Sequence, residues 1–165
     1  MRSEVERDMN WGREHLVAVQ DAIKYHCAMH VISVRLATEK EDLEEATDMI
    51  IEIKGGAVGV RIRRPEYYKY GDVTIRHSRP SNARTEWHKL KDGSLHWYFY
   101  GWSDGHGNLQ DWCLLDMTKF PFLKEDKLKI EVNNDGTTFA CFPLPMLKSC
   151  NCLLVQKKDV MKNES

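Results

Sequence analysis

Several absences bound the chain before any motif is read. No run of eighteen apolar residues occurs in its 165 positions, so no stretch has the length and hydropathy of a spanning helix, and no membrane partner is expected. The opening MRSEVERDMNWGREH carries charge where a secretory signal would carry an apolar core. A cytoplasmic, intracellular protein is therefore expected. There is no G-x-S-x-G elbow and no G-x-x-x-x-G-K-[ST] loop, which removes the common serine-hydrolase and P-loop readings. Cysteine is sparse and odd in number: Cys27, Cys113, Cys141, Cys150 and Cys152. Irregular spacing and an odd count suit reduced thiols. Cys150-Asn151-Cys152 has no second Cys/His pair at zinc-finger spacing, and His88, His96 and His106 are not spaced as a ligand set. No internal repeat or linker divides the chain. One domain over residues 1–165 is expected, with 1–10 polar and mobile or loosely helical, and 156–165 a flexible end.

What is present begins with charge. The net value is −1, yet Glu39 to Glu52 holds seven acids against Lys40, and Lys54 to Lys91 holds ten bases against three acids. A basic sector in a neutral chain points to a local anionic partner, or to the two sectors neutralising each other on folding.

Between these sectors lies DMIIEIKGGAVGVRIRR, residues 48–64. Two alternating runs flank Gly55-Gly56, a strong hairpin signal. A two-residue turn there sets Ile53 opposite Val58, Ile51 opposite Val60 and Met49 opposite Ile62 on a core face. The other face sets Asp48 opposite Arg63, Ile50 opposite Arg61 and Glu52 opposite Gly59. A slip of one residue would drive arginines into the core.

Around the hairpin, Leu16, Val19, Ile23 and Cys27 recur at helical spacing and predict an amphipathic helix from Gly12 to about His30. His26 and His30 read as solvated residues of that helix. Val31–Leu36 reads as a strand, and Thr38 to Glu45 as a short acidic helix with a capping-box start. Arg64-Pro65 should end the second hairpin strand, and EYYKYG forms an aromatic loop. Asp72–His77 reads as a third strand of the same sheet. Thr85–Lys91 reads as a short helix. Leu95–Ser103 and Leu109–Met117 pair as strands, as do Leu128–Val132 and Thr137–Phe142. Pro143–Leu154 is a tail segment with a short helix. The sum is an α+β domain around one mixed, mostly antiparallel sheet.

The charged hairpin face is the candidate site. A Mg²⁺ ion is held by one or two carboxylates with waters and phosphate oxygens. Asp48 and Glu52 are about 13 Å apart along a strand, too far to share an ion, whereas a neighbouring strand is about 5 Å away. Asp72 is the natural second acid if its strand docks beside the hairpin, and Glu14 is placed to approach from the helix. Arg61, Arg63 and Arg76 offer planar forks to phosphate. Arg64, Lys69 and Arg79, interleaved with Tyr67, Tyr68 and Tyr70, form a loop suited to tracking a nucleic-acid backbone. The plainer alternative is an exterior face on which Asp48 and Arg63 pair across the ladder and contribute little to stability.

A helix with an early Glu14, a strand, Asp48 opening a second strand and a basic third strand together resemble the PD-(D/E)XK nuclease superfamily. The resemblance implies Mg²⁺- or Mn²⁺-dependent phosphodiester hydrolysis of nucleic acid, with metal ligands among Asp48, Asp72 and Glu14. It places Asp48 at the family's first acid and Arg63, as a cation, at the lysine position. Arg61 stands where the family has an acid. Arginine stays protonated and is a poor base, so either the second acid has moved, to Asp72 or Glu52, or binding remains without catalysis. The stretches VRIRRPEYY, GDVTIRHSR and TEWHKL also look similar to small phage or microbial proteins, which implies the host cytoplasm if the chain is phage-encoded. Two further readings stay open: an inactive nucleic-acid-binding module, and an interaction domain that forms a homodimer or docks a partner.

Overall fold

The computed structural model describes residues 4–27, 31–36, 38, 40, 49–53, 56–121 and 127–157. Helix α1 runs Glu4–Cys27. Strands β1 (Val31–Leu36), β2 (Met49–Ile53) and β3 (Gly56–Arg63) follow, then a 3-10 turn, Pro65–Tyr70. Next come β4 (Asp72–Ser78), α2 (Glu86–Lys91), β5 (Trp97–Ser103) and β6 (Leu109–Asp116). A 3-10 turn at Met117–Lys119 precedes β7 (Lys129–Val132), β8 (Thr138–Pro143), α3 (Leu144–Ser149) and β9 (Leu153–Gln156). Asp48, the acidic segment 41–48, His30 and the tail 158–165 lie outside the described residues.

The fold is α+β, as expected, but its strands form two sheets. One has six strands in the order β1-β2-β3-β5-β6-β9, and the other has three in the order β4-β8-β7. The β3–β5 pair is parallel and the other pairs are antiparallel. Alternation along β5 makes the layers. Phe99 packs with Val58, Val60, Leu109, Trp112 and Leu114 against Val19 and Ile23 of α1. Tyr98, Tyr100 and Trp102 point the other way, into a second core with Val73, Ile75, Ala140 and Phe142 of the small sheet and Trp87 and Leu90 of α2.

Four expectations need correction. Strand β4 is not a third strand of the hairpin's sheet; it pairs with β8, Asp72 opposite Pro143, in the facing sheet. Proline at 65 ends β3, and the turn after it carries the chain across. The hairpin register is also shifted by two: Ile51 pairs with Val58, Glu52 with Ala57 and Ile53 with Gly56. A shift of two preserves the alternation, so Val58 and Val60 are still core. Helix α1 begins at Glu4, before Gly12. Finally, the chain from Leu153 pairs with β6, and Gln156 is buried rather than part of a loose end.

Two details fix the layers. Gly59 lies beside Tyr98 in the parallel pair. A Cβ there would sit 2.8 Å from the Tyr98 ring and 2.9 Å from Leu95 Cδ1, so only glycine lets the ring lie against the strand. On the helix side, fully buried His15 is 2.8 Å from the Trp11 carbonyl through Nδ1 and 2.7 Å from Ser103 Oγ through Nε2. A carbonyl only accepts, so Nδ1 carries the proton and, in the neutral ring, Nε2 accepts from the serine hydroxyl. Ser103 Oγ in turn accepts from Gly105 N–H at 2.8 Å. Ser103→Ala strands the buried His15 ring nitrogen and removes the acceptor of Gly105 N–H. It should lower stability by about 1–3 kcal/mol, read as a lower urea midpoint at unchanged slope.

Candidate functional site

Arg61 and Arg63 leave β3 on the side away from α1, beside Tyr100 and Trp102 of β5. The small sheet covers that side, so the charged face is interior. It is neither an open phosphate surface nor a solvated exterior ladder. The Arg61 side chain is 9% exposed and its Nη1 donates to Glu86 Oε1 at 3.2 Å, with Glu86 itself 6% exposed. Arg76 of β4 brings Nε to 4.0 Å from the other Glu86 oxygen, an ion-pair distance beyond hydrogen-bonding range. The Phe139 ring of β8 lies close to these cations, with the Arg61 guanidinium 4.6 Å from its centroid and those of Arg63 and Arg76 at 5.9 Å. An aromatic face attracts a cation where water is excluded.

Arg63 is held differently. Its Nη1 donates to Thr74 Oγ1 at 3.1 Å, and that hydroxyl is 2.9 Å from Tyr100 Oη. Tyr100 Oη also accepts from Thr74 N–H at 3.2 Å. Burial pushes the Tyr100 phenol above its ordinary range, with Arg63 and Arg61 pulling it back, so it stays protonated. Asp72 is half-buried at the head of β4. Burial lifts its carboxyl above the usual range, and the nearby Arg63 and Lys129 charges reverse only part of that rise.

The other expected residues scatter. Glu14 is exposed on α1, its backbone carbonyl against the β5–β6 turn at Gly107. It lies on the opposite side of the six-stranded sheet from Asp72, and sheets pack about 10 Å from the layer above. Glu14 and Asp72 therefore do not make one metal site. Among the described residues no group of three or more His, Cys, Asp or Glu could hold an ion. Arg79 is half-buried in the loop after β4. Arg64 and Lys69 are exposed, Arg64 5.8 Å from the Trp11 ring and Lys69 5.2 Å from the Tyr70 ring.

Lys69 and Arg64 belong to the second feature, the Pro65–Tyr70 turn. Pro65 starts it, and Gly71 ends it with φ 59°, a left-handed conformation that glycine adopts without a steric cost. Gly71 C=O accepts from Leu144 N–H at 3.0 Å, tying the turn to α3. Tyr68 is its anchor, with its ring edge-on to Trp102 at 5.7 Å and its hydroxyl donating to Asp111 at 3.3 Å. Burial and the Asp111 carboxylate both push the Tyr68 phenol upward. Tyr67 and Tyr70 are 37% and 60% exposed, their rings 6.3 Å apart and tilted by 38°, and Tyr68, though held at its edge and hydroxyl, is 36% exposed. The Arg63 guanidinium lies 4.0 Å from the Tyr67 centroid.

Comparison with protein-family models, curated proteins and solved structures finds no match. The nuclease resemblance therefore rests on the order of elements and on Asp48, which lies outside the described residues.

Glu86, Phe139, Thr74 and Tyr100 were not singled out from the sequence as site residues. Glu86 carried one usable signal: it is the sole acid between Asp72 and Lys91 in a basic stretch, where a buried arginine would need a counter-charge. The others carried none, because their roles depend on which sheet covers which.

Removing Glu86 leaves Arg61 and Arg76 buried without their shared carboxylate. Glu86→Ala should cost about 3 kcal/mol or more, seen as a large drop in the denaturant midpoint, and Glu86→Gln should fall between. Asp72 behaves oppositely. Its folded-state pKa is raised, so the folded form binds the extra proton. Stability then falls as pH rises from the unfolded value, about 3.9, through the folded one, and the deficit persists at neutral pH. Asp72→Asn should melt higher than the parent at pH 7, and the difference should vanish below about pH 4.

Proposed function

We propose that the protein is a single-stranded nucleic-acid-binding module whose contact surface is the Pro65–Tyr70 turn. One observation carries this reading: two exposed tyrosine rings, Tyr67 and Tyr70, each with a cation against one face, on a turn pinned by Tyr68, Gly71 and Trp102. Bases stack on aromatic faces without regard to sequence, at about 1–3 kcal/mol per base, while cations follow the phosphates. Arg64 and Lys69 are the exposed cations of this surface, and Arg63 stiffens it from below. The tilt between the two rings rules out one base sandwiched between them and favours two bases stacked on separate rings. A pinned platform loses little conformational entropy when a base arrives.

The buried arginines take no direct part. Arg61 and Arg76 hold the two sheets together around Glu86 and so set the height of the turn above β5. No metal step is assigned to Asp72 or Glu14.

The reading is tested by fluorescence anisotropy with a labelled single-stranded oligonucleotide across a salt series. Affinity should fall with salt, with a log–log slope of about −0.7 per phosphate contacted. Tyr70→Ala should weaken binding by roughly 5- to 150-fold, the equivalent of one stacked base. Arg64→Gln with Lys69→Gln should flatten the slope by about 1.4. No binding at low salt, or a Tyr70→Ala variant that binds like the parent, overturns the proposal. Strand cleavage that needs Mg²⁺ and disappears in Asp48→Ala would instead assign metal-dependent hydrolysis. A concentration-dependent mass without nucleic-acid binding would assign an interaction domain.

A further inference from the structure

The three-stranded sheet has two outer edges, and they differ. On β4 the edge is occupied: Thr74 N–H donates to Tyr100 Oη at 3.2 Å, and His77 C=O accepts from Thr85 Oγ1 at 3.1 Å. The other edge is β7, Lys129–Val132, and all of its residues are exposed. It runs beside β8 without a bulge, from Lys129 opposite Cys141 to Val132 opposite Thr138, and it holds no proline. A bare strand edge of this kind is a template for pairing with another strand.

The hairpin turn fixes which backbone groups are free. Asn133 N–H donates to Thr137 C=O at 2.9 Å, so Asn133 turns its backbone groups towards β8. In an antiparallel ladder that direction alternates along the strand. Glu131 and Lys129 therefore also turn theirs inward, and Ile130 and Val132 present N–H and C=O to the open side. Among the described residues none bonds to them there. Side chains alternate as well. Lys129 and Glu131 stand on one face, 3.0 Å apart and 69% and 58% exposed. Ile130 and Val132, 37% and 67% exposed, stand on the other, in line with Leu128, which packs against the inter-sheet core.

We infer that β7 is the contact through which two copies of this chain pair, edge to edge and antiparallel, about a two-fold axis at Ile130. Ile130 N–H and C=O then exchange bonds with Ile130 of the second copy, and those of Val132 with its Leu128. In this register Lys129 faces the second copy's Glu131, and Glu131 faces its Lys129, so both charges meet their opposites. Ile130 meets Ile130 and Val132 meets Leu128, which extends the apolar row across the axis. The surface is self-complementary, as a two-fold contact requires. Moving the axis to Val132, the next residue with free backbone groups, sets Glu131 against Asn133 and loses both ion pairs. A lone edge lysine deters a second strand; a lysine next but one to a glutamate selects its own copy. The tyrosine turn takes no part, so the outcome is separate from that of nucleic-acid binding.

The test is sedimentation equilibrium on the full chain, with amide hydrogen exchange across the same concentrations. A pair of strands of 4 residues each falls short of the standard interface of about 1,200–2,000 Å², so a dimer with Kd of about 0.1–1 mM is expected. Exchange at the Ile130 amide should slow as concentration rises, while that at Glu131, already bonded to β8, should not change. Lys129→Glu and Glu131→Lys each set like charges opposite each other at both symmetry-related places and should weaken the dimer about tenfold. Mixing the two variants, or placing both changes in one chain, restores opposite charges and should recover the parent's affinity. Ile130→Pro removes an outward N–H and should abolish pairing with the β7–β8 hairpin intact. A monomer up to about 1 mM overturns the inference. So does a dimer that both charge variants leave unchanged, or one that the mixture fails to restore. The charge exchange decides the matter even where Ile130→Pro does not fold.

Discussion

A guanidinium group can be enclosed only where an anion and a polarisable surface go in with it. Arg61 meets that condition through Glu86 and Phe139, and the rest of the architecture follows from it. Glu86 comes from the first turn of α2, Phe139 from β8 and Arg61 from β3, so one charged contact joins both sheets and a helix. Arg76 approaches the same carboxylate from β4. A wholly apolar interface here could slide by a residue at little cost. An ion pair flanked by a ring has one good geometry, and it sets how the sheets sit on each other.

The second determinant is the β5 strand, buried on both faces. Its even positions, Tyr98, Tyr100 and Trp102, build the inter-sheet core, and its odd positions, Phe99 and Ser103, meet the helix layer. Gly59 permits the approach of the Tyr98 ring from the neighbouring strand. Strand β5 thus carries the tyrosine hydroxyl that orders Thr74 and Arg63, and the tryptophan against which Tyr68 rests. The exposed turn and the buried cations share one support.

Much of this was legible in local pattern. The hairpin faces, the paired aromatic strands around Asp104–Asn108, the β7–β8 hairpin and the α2 helix all declare themselves through period and turn chemistry. What was hidden is long-range. Nothing in Asp72–Ser78 says that it leaves the hairpin's sheet, because a half-buried strand alternates the same way beside either neighbour. That single choice turns Arg61 from a phosphate ligand into an interior cation. The two-residue register shift was equally silent, since both registers bury Val58 and Val60. For the candidate site, the tyrosine cluster and its bases could be read directly, whereas the pairing of Tyr68 with Asp111, 43 positions apart, could not.

The His15–Ser103 contact spans 88 positions, and this has a bearing on biosynthesis. The amphipathic α1 precedes every strand, and the surface that shelters Val19 and Ile23 combines Val58 and Val60 of β3 with Phe99, Leu109, Trp112 and Leu114, which follow much later. At a ribosome speed of about 5–20 residues per second, the helix waits on the order of 4 to 18 seconds for its seat. Throughout that interval part of its greasy side is open to chaperones, and its cover is completed only when β5 and β6 have left the exit tunnel.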